Sequence, residues 1–231
     1  MKFNRGQVVF GNKINTPTQD EIKNTQGLWN ASFEDAIRFG GELTRAALQA
    51  VNLRGDRKHI VVDVKTHMLM PGMMPAIPGW HTDGVPRGGS MSPAKGEPDI
   101  TMQKLPYAKA PHYHLLVTGG DCPTQFLSAR DIDLLIPSEG KKNSQLYAYI
   151  SSQIGKMIRW DTHNLQPYDA PDAQFVEWDW WELHTAQPAR APGWRYLIRV
   201  TETDYLEPQK DLRLVLRNQQ QVYLPSKEFG W

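Results

Sequence analysis

With 231 residues, 40% of them apolar and Trp 8 in number, the chain can bury a substantial core as one domain, residues 1–231, and its composition excludes a disordered polypeptide. A formal net charge of +1 leaves no basic field for nucleic-acid backbone, and the single cysteine, Cys122, excludes an intrachain disulfide framework. No apolar run approaches a membrane span and the first residues lack the apolar core of a signal peptide, so a cytoplasmic protein is expected, with no membrane partner.

In chain order, Val8, Val9 and Phe10 read as a short strand. Thr18 followed by Glu21 has the spacing of a capping box and opens a short helix carrying Ile22. Ser32 opens a longer one, with Ala36, Gly40, Leu43, Ala47 and Val51 at steps of three or four to about residue 52 and a kink or close contact at Gly40-Gly41. After a turn at Arg54-Gly55-Asp56 the period becomes two, and Ile60, Val62 and Val64 alternate with Val61, Asp63 and Lys65 as a strand. Met68 to Pro78, rich in Met and Pro, is a loop, and Gly84 to Pro111 is long enough to act as a lid. His112 to Thr118 and Thr124 to Ser128 read as a hairpin around Gly119-Gly120-Asp121. A helix spans residues 144 to 158, an aromatic strand runs from Phe175 to His184, another from Tyr196 to Val200, and Leu212, Leu214, Leu216, Val222 and Tyr223 suggest a closing hairpin. Many short strands behind helices predict an α+β, mainly β chain: a double-stranded β-helix (jelly-roll, cupin-like) core with N-terminal supporting helices.

Chemistry concentrates at Pro78-Gly79-Trp80-His81-Thr82-Asp83-Gly84, where an imidazole and a carboxylate two residues apart project from one face of an extended segment. His112 and His114 also share a face, but Thr118, Gly119 and Gly120 stand where a cupin-type pair wants a Glu. His59, His67 and His163 read as structural or surface residues. His184 closes the aromatic strand, and Arg195 and Arg199 follow on one face of the next. The binary pattern of Tyr196, Ile198 and Val200 puts those arginines outside, and inward guanidinium groups require an anion to offset their desolvation.

His81-x-Asp83, then His184 about a hundred residues on, then Arg195 eleven beyond, resembles the iron(II)/2-oxoglutarate-dependent dioxygenases, with the taurine-dioxygenase-like branch nearest in pattern. The match covers roughly residues 60 to 204. The resemblance implies that His81, Asp83 and His184 form the catalytic iron site and that Arg195 with Thr124 binds 2-oxoglutarate, with Arg199 as the alternative partner or a second anchor. The implied activity is an Fe(II)-, 2-oxoglutarate- and O2-dependent hydroxylation of an unidentified small-molecule substrate, releasing succinate. The alternatives are a jelly-roll metalloprotein of another class, a Zn/Mn hydrolase or isomerase, and a non-enzymatic jelly-roll binding or structural protein.

Overall fold

Strand β4 (His59–Leu69) and strand β11 (Gly193–Thr203) pair antiparallel along their whole length, and the rest of the chain is laid out around that ladder. The computed structural model describes residues 1–83, 103, 108–136, 143–161, 164–217 and 220–224. The other strands are β1 (Lys2–Phe3), β2 (Val9–Lys13), β3 (Gly27–Ser32), β5 (His112–Thr118), β6 (Thr124–Leu127), β7 (Ile132–Asp133), β8 (Pro167–Asp169), β9 (Gln174–Trp178), β10 (His184–Ala186) and β12 (Leu216–Arg217). The helices are α1 (Gln19–Lys23), α2 (Phe33–Phe39), α3 (Gly41–Ala50), α4 (Asn143–Arg159) and α5 (Leu212–Val215).

The capping signals act as read. The Thr18 hydroxyl accepts from the Glu21 N–H at 3.2 Å while the Glu21 carboxylate accepts from the Thr18 N–H at 2.7 Å, and the Ser32 hydroxyl accepts from the Asp35 N–H at 3.0 Å. The helix expected from Ser32 to about residue 52 is two helices. Gly41 has φ +81°, and a Cβ on Gly40 would lie 2.6 Å from the Ala36 carbonyl oxygen, so the pair of glycines permits both the break and the tight turn.

The large sheet has the order β12-β3-β4-β11-β5-β9-β2, and smaller sheets join β10-β6-β8 and β1-β7. Every named pairing is antiparallel. The helices α1 to α3 cover one face of the large sheet, where Ile22, Ala36, Leu43 and Ala47 pack on Val62, Val64, Tyr196, Ile198 and Val200. On the other face Tyr113, Leu115, Val117 and Trp178 meet Phe126 of β6 and Leu146, Ile150 and Ile154 of α4. Removing a buried side chain such as Ile198, 0% exposed, costs about 2–5 kcal/mol in transfer and cavity terms.

The closed double-stranded β-helix, jelly-roll or cupin-like, is not the architecture: among the described residues the fold is mixed α+β with separate open sheets, whose edge strands are not hydrogen-bonded to each other into a barrel. The hairpin around Gly119-Gly120 is a crossing between sheets, since β5 pairs with β11 and β9 while β6 pairs with β10 and β8. Positive φ at Gly119, Gly120 and Asp121 turns the chain from one sheet to the other. The closing hairpin is replaced by α5, whose first turn is capped by the Asp211 carboxylate accepting from the Arg213 N–H at 3.0 Å; Val215 points inward while Leu212, Leu214 and Leu216 are exposed. The aromatic strand also ends early, at Trp178, because the Asp179 carboxylate accepts from the Trp181 N–H at 2.7 Å and folds the chain before β10.

Candidate functional site

The alternation of β11 explains which side chains reach the site. Tyr196, Ile198 and Val200 face the helices, so Arg195, Leu197 and Arg199 face the opposite way. That opposite face is covered in part by the small sheet and α4, and Arg195 is only 1% exposed. A cavity of about 280 Å³ opens there, lined by Thr124, Arg195, Leu197, Arg199, His81, Asp83, His184 and Trp178, with Asp63, Lys65, Leu115 and Trp29 among its further walls. The six residues singled out from sequence therefore line one cavity.

Two backbone hydrogen bonds, His81 N–H to His184 O at 3.0 Å and His184 N–H to His81 O at 2.9 Å, hold the two imidazoles side by side with ring centroids 4.4 Å apart. Each Nδ1 faces a backbone carbonyl, Gly79 at 2.8 Å and Glu182 at 3.1 Å, so each Nδ1 is the donor. Asp83 is engaged through both oxygens. Arg199 Nη1 donates to Oδ1 at 3.1 Å and the Trp178 indole N–H donates to Oδ2 at 3.1 Å, with His184 Nε2 3.6 Å from the same oxygen. Arg199 Nη2 donates to Asp63 Oδ2 at 3.0 Å, and Asp63 Oδ1 accepts from the Asn30 N–H at 2.9 Å. Burial opposes the charge on Arg199, but Asp83 and then Asp63 outweigh it and hold its pKa above the ordinary value.

The Arg195 end of the cavity is different. Its Nε donates to the Cys122 carbonyl at 2.8 Å, and buried Nη1 has no hydrogen-bond partner among the described residues. Burial pushes its pKa down. Across the ladder lies His67, whose pKa burial, and then Arg195, push down to about 4, so it is neutral near pH 7. Cys122 adds no compensating charge, because burial raises its thiol pKa.

The iron reading is corrected by this geometry. Among the described residues no group of three or more His, Cys, Asp or Glu side chains is arranged to hold a metal ion. The physical reason lies at Asp83, whose carboxylate serves as counter-ion to Arg199 and acceptor for Trp178 rather than as an open ligand beside His81 and His184. These residues do not fit Fe(II), and the Fe(II), 2-oxoglutarate and O2 chemistry of a dioxygenase is set aside with it. No protein-family model matches the chain, and no curated protein matches it, so the resemblance to the iron(II)/2-oxoglutarate-dependent dioxygenases does not place the chain in that family.

The cupin-type pair is also accounted for: His114 Nε2 is 2.9 Å from Glu202 and His112 Nε2 is 3.0 Å from Asp56, away from the cavity. The lid expected over Gly84–Pro111 lies, apart from residues 103 and 108–111, outside the described residues, as does His163. Sequence reasoning missed Asp63 as part of the site. The signal was present, because Asp63 occupies the polar phase of β4 directly opposite Arg199, but the register that pairs them is not legible without the sheet. Among the described residues, no helix is long and apolar enough to cross a membrane.

Proposed function

We propose that the chain is a ligand-binding protein whose cavity takes a small organic anion, a carboxylate, at Arg195 and Thr124. The observation that carries this reading is the buried Arg195 guanidinium, 1% exposed, with Nη1 unpartnered. A buried charge without a counter-charge is costly, and a carboxylate is the planar acceptor that a guanidinium fork matches. Thr124, buried on β6 and lining the same cavity, supplies a hydroxyl for the second contact. Arg199, held by Asp83 and Asp63, is spoken for and positions Asp83 instead. The binding alternative, without the jelly roll first attached to it, thus carries the function better than oxygenase chemistry. A cytoplasmic setting is consistent with one buried free cysteine.

Calorimetric titration with propionate tests the reading. Wild type is expected to bind, and Arg195→Met to bind at least about tenfold more weakly, since a charge-assisted hydrogen bond contributes ~1.5–3 kcal/mol. Equal affinity in the two proteins would remove Arg195 from the site.

A further inference from the structure

One short segment supplies what surrounds the Arg195 guanidinium. Between β5 and β6, Gly119, Gly120 and Asp121 have φ of +78°, +70° and +40°, and the crossing they form lies directly on the start of β11. A Cβ on Gly120 would stand 3.1 Å from the Cβ of Arg195 and 3.7 Å from its Cα, a contact that no side-chain rotation relieves. Two residues on, the Cys122 carbonyl accepts from Arg195 Nε at 2.8 Å. Two further on, Thr124 stands in the cavity wall.

The crossing is itself pinned. The Cys122 thiol donates to the Gln187 carbonyl at 2.9 Å, and the Gln187 N–H donates to the Pro123 carbonyl at 3.3 Å. The Arg190 N–H donates to the Asp121 carbonyl at 3.1 Å and the Ala170 N–H to the Thr124 carbonyl at 2.8 Å. The acceptor that holds Arg195 is therefore a backbone oxygen in a fixed segment rather than the end of a flexible side chain.

A guanidinium offers a carboxylate two forks, Nε with Nη2 or Nη1 with Nη2. The Cys122 carbonyl occupies Nε and closes the first fork. Nη1, which belongs to the second fork alone, is buried without a partner among the described residues.

Resting on the anion reading above, we infer that Arg195 takes the ligand's carboxylate end-on, through Nη1 and Nη2, and that Gly120 and Cys122 are the positioning residues that set this mode. Gly120 leaves the room that lets the crossing lie on Arg195, and Cys122 holds Nε. End-on capture puts the carboxylate beyond the tip of the side chain rather than beside it.

Proton–nitrogen NMR of the full chain, titrated with propionate, reads the fork directly. The Arg195 Nε–H signal, identified by its loss in Arg195→Met, is expected to exchange slowly in the free protein and to move little at saturation, while Nη–H signals shift. An Nε–H signal that shifts as far as the Nη–H signals shows side-on capture and overturns the inference while leaving the anion site standing. Gly120→Ala is expected to bind propionate at least about fivefold more weakly than wild type. Gly55→Ala, with φ +69° and nothing within 4 Å of the added Cβ, is expected to stay within about twofold, which separates contact with Arg195 from backbone strain. Equal affinity in those two variants removes the positioning role of Gly120. Cys122→Ala is expected to speed Nε–H exchange and weaken binding about threefold, and Cys122→Ser to recover both. Should Gly120→Ala fail to fold, the Cys122 pair carries the test, and equal affinity and exchange in its two members overturn the positioning. Wild type that binds no propionate overturns the anion reading and this inference together.

Discussion

Arg195 and Arg199 occupy one strand and one face, four residues apart, and end in opposite electrostatic circumstances. Opposite Arg199 the ladder places Asp63, and the loop after His81 adds Asp83, so two carboxylates share one guanidinium. Opposite Arg195 it places His67, neutral, and the nearest acceptor is a backbone carbonyl. One end of the cavity is saturated and structural; the other holds charge in reserve. Residue type and strand position do not distinguish the two, and cross-strand register does.

The largest expected effect lies at the saturated end. Arg199→Leu leaves Asp63 and Asp83, 5% and 7% exposed, without their cation. Stripping one partner from a buried pair costs about 3–5 kcal/mol, reduced here to about 2–3 kcal/mol because 36% of the Arg199 side chain is exposed. A thermal melt should fall by roughly 5–10 °C. An unchanged melt would mean that the carboxylates are not dependent on Arg199 and would break the comparison.

The second test reads the reserve charge through His67. Its pKa in the fold, about 4, lies below the ordinary 6.5, so the unfolded chain binds more protons between those values. His67 therefore contributes stability that is present above about pH 6.5 and is lost as pH falls toward 4. Glu182, raised to about 7 by burial and then by Asp179, works in the opposite sense, its contribution falling as pH rises from about 4.5 to 7. Glu182→Gln should therefore expose a positive stability-versus-pH slope in denaturant melts, and adding Arg195→Met should flatten it by relieving His67. A slope indifferent to Arg195 would place the cause in burial alone.

The smallest effect is at Thr124. Thr124→Val keeps shape and β propensity and removes the hydroxyl, and propionate affinity should drop about three- to tenfold with the melt within about 1 kcal/mol of wild type. No change in affinity would confine the anion to Arg195.

Local signals carried well from sequence to structure. Thr18-Glu21 and Ser32 start helices because their side chains satisfy N–H groups that any helix start exposes. His81, Asp83, His184, Thr124, Arg195 and Arg199 stand out in the sequence, and each lines the cavity. What failed was the step from residue types to their partners. Spacing along the chain makes His81, Asp83 and His184 look like a ligand set, whereas contact geometry gives Asp83 to Arg199 and Trp178. Alternation alone leaves Arg195 and Arg199 on the face opposite Tyr196, Ile198 and Val200 and does not say which layers cover that face. Likewise Leu212, Leu214 and Leu216 alternate as a strand does, yet they are the exposed side of a short helical turn and the strand after it, with Val215 as the buried residue.

The most direct test of the account is the ligand-free stability of Arg195→Met against wild type, each melted with and without propionate. If Arg195 is a buried charge awaiting an anion, the variant melts at or above wild type in buffer, by up to about 1 kcal/mol, and propionate raises only wild type. A variant that melts well below wild type in ligand-free buffer would contradict the account, because it would show that Arg195 is already compensated within the fold.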